Sequence, residues 1–211
     1  MSDEHSINNE QELRAIIGEP MEFVKIKIAS KLDNIMKEFI QQSPLVFVST
    51  IDSQGHIDSS PKGDPRGFVE IDNNGNLLIP ERPGNRLTFG FQNILRNGEI
   101  GLIFIIPNQR ETLRIKGTAT LHKDPEVLER MTVNGKPALL YTKVDVKECF
   151  FHCGKAMIRS KLWQPESWDN QTASIGARQF ASLGLLGEKA SKEAVKETEK
   201  RLDQSYKNEL Y

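Results

Sequence analysis

Apolar positions along the chain change period several times, and the changes mark its elements. Across residues 22–42, Ile28, Leu32, Ile35, Met36 and Phe39 recur at helical spacing, with Lys31, Asp33, Lys37 and Glu38 opposite them. The pattern predicts one amphipathic helix lying on a core and ended by Ser43-Pro44. A shorter helix over residues 11–17 precedes it and stops at Gly18 and Pro20. Residues 45–51 are apolar and β-branched apart from Ser49 and Thr50 and predict a buried strand, which turns at Asp52-Ser53-Gln54-Gly55 and returns through residues 56–59. Residues 68–71 and 77–79 flank Asp72-Asn73-Asn74-Gly75 as a hairpin. A helical pattern over residues 87–96 ends at Asn97-Gly98, and residues 99–106, the most hydrophobic segment, predict an interior strand. In residues 111–121, Leu113, Ile115, Ala119 and Leu121 alternate with Thr112, Arg114, Lys116, Thr118 and Thr120, so one strand face is core and the other polar. Asp124-Pro125 opens a short helix reaching Arg130, and residues 138–151 form a long final strand.

Six or seven antiparallel strands joined by short turns, with helices at a few connections and at the ends, predict a mainly β domain with flanking helices, a small barrel. The strand–helix alternation and Gly-x-Gly-x-x-Gly fingerprint of a dinucleotide fold are missing from the sequence. The division this implies is an N-terminal helical extension over 1–42, a barrel over 43–163 and a C-terminal helical extension over 164–211. In that last part, Glu188/Lys192 and Glu197/Arg201 pair at helical spacing, and Ala190, Ala194, Val195 and Leu202 make a weak apolar stripe.

A formal net charge of -1 over 211 residues offers no broad basic field for nucleic acid or an anionic membrane, so any anion site must be local. No apolar run reaches the length of a membrane span, and the first residues are polar and acidic; a soluble cytoplasmic protein is the expectation. Cys149 and Cys153 do not have the redox Cys-x-x-Cys spacing, and with His152 alone they leave a zinc shell incomplete, so reduced structural thiols and no metal are expected. His56 beside its turn reads as an exposed turn residue.

Two loops rich in Gly, Pro and cations flank the hairpin. The first runs Ser60-Pro61-Lys62-Gly63-Asp64-Pro65-Arg66-Gly67; the second runs Pro80-Glu81-Arg82-Pro83-Gly84-Asn85-Arg86 straight into a helix start. Such clusters also make ordinary connections. A turn that delivers Arg side chains and free N–H groups to a helix start nonetheless suits a phosphate, and a hairpin draws its outer ends together, bringing Lys62 and Arg66 toward Arg82 and Arg86. Lys155 and Arg159, one turn apart, read as a solvated face or as a clamp on the same phosphate. Trp163 and Trp168 stand in a polar stretch where a Trp caps a core edge or covers a flat ring.

The ordered runs Ser60-Pro61-Lys62-Gly63-Asp64, Arg82-Pro83-Gly84-Asn85-Arg86, Glu111-Thr112-Leu113-Arg114 and His152-Cys153-Gly154-Lys155-Ala156 resemble the pyridoxamine 5'-phosphate oxidase-like FMN-binding split-barrel proteins across about 43–163. The resemblance implies a six-stranded antiparallel split β-barrel of Greek-key type, a homodimer, and FMN in a groove between subunits. It implies that Asn85 and Arg86 hold the FMN phosphate with Arg82 just before them, and that the backbone of Ile79 and Pro80 meets the flavin ring. Thr112 falls where these oxidases place a glutamine facing the flavin, and Ser60 and Lys62 lie near their basic strand. Lys155 and Trp163 are candidates to reach a partner's site. Trp163 is followed by Gln164-Pro165-Glu166 where the oxidases carry an Arg-x-His signature, so the likeness extends to the cofactor more than to vitamin B6 as substrate. The expected function is an FMN-dependent oxidoreductase acting on a small-molecule substrate or electron donor. The alternatives are a non-catalytic flavin- or haem-binding module and a deazaflavin-dependent reductase.

Overall fold

A computed structural model describes residues 5–168, 174–183 and 191–211. Its centre is one antiparallel sheet of seven strands: β1 Leu45–Ile51, β2 Ile57–Gly63, β3 Glu70–Ile71, β4 Leu77–Glu81, β5 Glu99–Ile105, β6 Thr112–His122 and β7 Leu140–His152. The order β2-β1-β5-β6-β7-β4-β3 makes it an open, curled half-barrel, consistent with a split barrel. The expected six strands are therefore corrected to seven. The six is the number implied by the resemblance; the strand pattern itself allows seven, with β3 the first arm of the 68–79 hairpin, where Glu70 and Ile71 pair with Leu78 and Leu77. Asp72 closes that hairpin by accepting the backbone N–H of Asn74 and Asn76 at 2.9 Å.

The alternation read in β6 holds in its middle, where Leu113, Ile115 and Ala119 are buried and Arg114, Lys116 and Thr120 exposed, but Thr112, read on the polar face, is buried at the strand's start and Thr118 is half-buried. Leu113, Ile115 and Ala119 join Ile40, Val46, Leu77, Phe104 and Val144 in one core. A smaller cluster of Leu78, Met131, Ala138 and Tyr141 lies with Val127 and Leu128 of a helix over Pro125–Arg130. Ser43, fully buried, answers the end of the β1–β5 ladder, its Oγ lying 2.8 Å from the Leu45 carbonyl and 2.7 Å from that of Ile105. A bulge at Lys116/Gly117 keeps β6 and β7 paired past an irregular step. A Cβ at Gly117 would stand 2.3 Å from the Asp145 carbonyl oxygen, so only glycine fits there.

The helices, in chain order, are α1 Glu10–Ile17, α2 Glu22–Ile26, α3 Asn34–Gln42, α4 Phe89–Arg96, α5 Pro125–Arg130, α6 Lys155–Arg159, α7 Ile175–Leu183 and α8 Lys192–Asn208. The single helix expected over 22–42 is broken into α2 and α3. Between them Ala29 is extended and exchanges backbone bonds with Cys149 (3.0 and 2.8 Å), occupying the edge of β7 beyond the stretch that β4 covers. Asp33 then restarts the chain as a helix by capping the Met36 N–H at 2.8 Å. In the C-terminal part, Glu197 pairs with Arg201 on α8 as expected, while Glu188 and Ala190 lie outside the described residues. Among the described residues, no helix is long and apolar enough to cross a membrane.

Candidate functional site

The two cationic loops do converge. Their strands bring them to one cavity of about 520 Å³, bounded by β1, β2, the end of β4, the loop leading into α4 and the start of β7. One wall is apolar, built from Val48, Ile79, Ile94 and Ile100 with Phe91. Hydroxyls of Thr50, Ser60 and Thr142 and the Asp58 carboxylate supply polar points. That balance suits an organic ligand with a flat apolar part and a polar end.

The charges are arranged less simply than the sequence implies. Lys62 Nζ lies 2.7 Å from Glu81 Oε2 and 5.0 Å from the centroid of the Phe91 ring. Arg82 Nε donates to Asp64 Oδ2 at 2.7 Å and its Nη2 to the Met131 carbonyl at 2.7 Å. Each cation is thus neutralised by a carboxylate from the other loop. Tyr211, beyond α8, adds its hydroxyl to Asp64 Oδ1 at 2.9 Å, with its ring centroid 5.8 Å from the Arg82 guanidinium carbon. Burial, and then the Asp64 carboxylate, push the Tyr211 hydroxyl above the usual tyrosine range, keeping it a donor.

Arg86 differs: it is exposed at the cavity and has no ion-pair partner among the described residues. It sits in a strained turn, because Arg86 (φ 62°) and Thr88 (φ 56°) are both left-handed, a conformation that side-chain-bearing residues adopt at a cost of about 1–3 kcal/mol. Asn85 holds the turn by accepting the Leu87 N–H at 3.1 Å. Thr88 then begins α4 without capping it, its Oγ1 accepting from Gln92 Nε2 at 3.1 Å instead. The positive end of α4 and the free guanidinium of Arg86 therefore border the same space.

Of the sequence candidates, Ser60, Lys62, Ile79, Arg82, Asn85 and Arg86 line this cavity together. Pro80 is buried beside them on β4, in register with Tyr141, and does not line it. Arg66 lines a separate, smaller cavity that shares Arg82. Thr112, Lys155 and Trp163 lie elsewhere. Thr112 opens β6 in register with His152, whereas the cavity residue Thr142 is in register with Leu121. At about 3.3 Å per residue, Thr112 lies roughly 30 Å along β6 from the level of Thr142 and roughly 17 Å from that of the cavity residue Ile100, which is in register with Gly117. Trp163 is half-buried against its own chain, its Nε1 donating to the Gln109 carbonyl at 2.7 Å, and Lys155 is exposed at the start of α6. Cys149 is buried and Cys153 exposed; among the described residues, no group of His, Cys, Asp and Glu side chains is placed to hold a metal ion.

Sequence reasoning did not assign roles to Asp64 and Glu81 as counter-charges, to Thr142 as a wall of the site, or to Tyr211. The first two had a signal, since each acid sits one or two residues from the cation-bearing positions of its loop.

Residues 32–153, more than half of the chain, match the family described as Pyridoxamine 5'-phosphate oxidase. The chain belongs to that family. No curated protein matches the sequence. Among solved structures similar to this family member, HupZ of Group A Streptococcus is 18% identical, with 57% of this chain and 93% of that one covered at a TM-score of 0.46. General Stress Protein 26 of Bacillus anthracis is 12% identical, with 55% and 88% covered and a TM-score of 0.43. An FMN-binding protein of Syntrophomonas wolfei is 9% identical, with 66% and 95% covered and a TM-score of 0.41.

Proposed function

We propose that this protein is an FMN-dependent oxidoreductase whose cavity between β1, β2, β4 and α4 holds the flavin. The observation that carries the reading is Arg86, a guanidinium without a carboxylate partner among the described residues, set beside an uncapped helix start at an apolar-walled cavity. A phosphate there meets a charge-assisted bond and the positive end of α4. The donor set fits FMN: Arg86 for the phosphate, the hydroxyls of Ser60 and Thr142 for polar groups, and Val48, Ile79 and Ile100 for a flat ring. When bound, the flavin supplies the electron and hydride chemistry. The chain's own part is to bind the phosphate, present an apolar wall and exclude water. Lys62 and Arg82, each held by its carboxylate, keep the loops in place around the cofactor.

The placement of Thr112, Lys155 and Trp163 supports a homodimer. If they serve a flavin, they serve the cavity of a second copy, because none of the three lines its own. A groove between two barrels also covers a ring that one open half-barrel leaves wet. A small-molecule substrate or electron donor would enter that groove.

The visible spectrum of the purified protein, before and after addition of FMN, tests the cofactor. Flavin bands that saturate at one equivalent per chain support the reading. A Soret band instead would replace it with haem binding, and no change with FMN would remove the flavin assignment.

A further inference from the structure

A second cavity, of about 170 Å³, adjoins the first, with Arg82 in the wall of both. It is framed by the 65–68 turn, by Glu70 of β3 and by the chain leaving α5 at residues 130–133. The turn closes through Phe68 N–H donating to the Pro65 carbonyl at 3.1 Å. Among the described residues, two buried side-chain polar atoms have no hydrogen-bond partner: Arg82 Nη1 and Thr132 Oγ1. Both belong to residues lining this one cavity. Buried polar atoms almost always find partners, so two orphans at one place mark a missing group.

The nature of that group follows from what is already used. The Met131 carbonyl accepts from Arg82 Nη2, and Asp64 accepts from Arg82 Nε and the Tyr211 hydroxyl. The Glu70 carboxylate, the acid in the wall, is held by Arg130 through three bonds of 2.7 to 3.2 Å. Arg66, on the turn, is exposed and has no ion pair or hydrogen bond among the described residues. The side chains left over are two guanidinium groups that can only donate and a hydroxyl that can do so. What they lack is an acceptor, and the unpaired charge of Arg66 asks that it be negative. A water would satisfy the two orphans; an oxyanion would satisfy them and also draw on the solvated charge of Arg66.

We propose that this cavity is a second anion site, which binds a small oxyanion of the phosphate type through Arg66, Arg82 Nη1 and Thr132 Oγ1. It is separate from Arg86 and does not rest on the flavin reading.

Inorganic phosphate titrated into the full chain at constant ionic strength, read by the ³¹P line width and by the melting temperature, tests it. Wild type should bind saturably and melt higher with phosphate. Arg66→Ala and Thr132→Val should each weaken phosphate about tenfold, the loss of one charge-assisted or hydroxyl contact, and Arg66→Lys should recover part of the loss. Thr132→Val removes a hydroxyl that has no partner, so in phosphate-free buffer it should melt no lower than wild type. Measured in an Arg86→Ala background, so that phosphate at the proposed flavin site does not contribute, the saturable binding and its loss in Arg66→Ala and Thr132→Val should persist. Absence of saturable binding in that background, or unchanged affinity there in both Arg66→Ala and Thr132→Val, would overturn the proposal.

Discussion

Replacing Asp64 by alanine probes the support beneath the candidate site. The Asp64 side chain is 1% exposed and that of Arg82 12%, and the carboxylate receives Arg82 Nε on one oxygen and the Tyr211 hydroxyl on the other. Removing it strands a largely buried guanidinium, and breaking such a pair on one side costs about 3–5 kcal/mol. Arg82 keeps its bond to the Met131 carbonyl and a little solvent, which places the loss near the lower bound, while the orphaned Tyr211 hydroxyl adds about 1 kcal/mol. The expected total is about 3–4 kcal/mol, or roughly a 10 °C fall in melting temperature for a chain of this size. Urea unfolding followed by the fluorescence of Trp163 and Trp168, at fixed protein concentration because a dimer links stability to concentration, measures it. Tyr211→Phe, which loses only the hydroxyl contact, should cost about 1 kcal/mol. A loss under about 1 kcal/mol in Asp64→Ala would show that solvent already answers the Arg82 charge and that the pair does not hold the loops.

Three further outcomes are expected. Gly117→Ala should destabilise by about 3 kcal/mol in the same assay, because the obstacle at 2.3 Å is backbone carbonyl oxygen; a change near zero would mean the bulge relaxes freely. A thiol reagent should modify Cys153 alone in the folded protein, since burial pushes the Cys149 thiol up and hides it, and should reach both after denaturation; two fast thiols would contradict the packing of Ala29 against β7. Mixing a Trp163→Ala chain with an Arg86→Ala chain should restore part of FMN binding if sites are shared between subunits, and sedimentation as a monomer at micromolar concentration would remove that premise.

Period and turn chemistry carried most of the fold. The alternation in β6, the Asp72–Gly75 turn and the Asp124 cap with Pro125 behind it are local signals, and each has its counterpart in the structure. The break at Ala29 has no such signal: its cause is the open edge of β7, more than a hundred residues away, which takes two backbone bonds from the chain and defeats a helical apolar stripe. The hairpin arm read over residues 68–71 is present but pairs only through Glu70 and Ile71. In the site, the sequence brings the loops together but cannot say which cations are spoken for. Lys62 with Glu81 and Arg82 with Asp64 are pairs made across the hairpin, and only the fold shows that Arg86 is left without one among the described residues. The separation of Thr112 from the cavity is equally a matter of register, invisible until β6 and β7 are aligned.

The most direct test of the account is the binding of FMN and of riboflavin to Arg86→Ala, compared with wild type by quenching of flavin fluorescence. If the unpaired guanidinium holds the phosphate, its removal takes away a hydrogen-bonded charge contact of about 2 kcal/mol and weakens FMN roughly 30-fold. Riboflavin, which has no phosphate, should lose less than about threefold. Equal losses for the two ligands, or none for FMN, would contradict the assignment of Arg86 as the phosphate clamp.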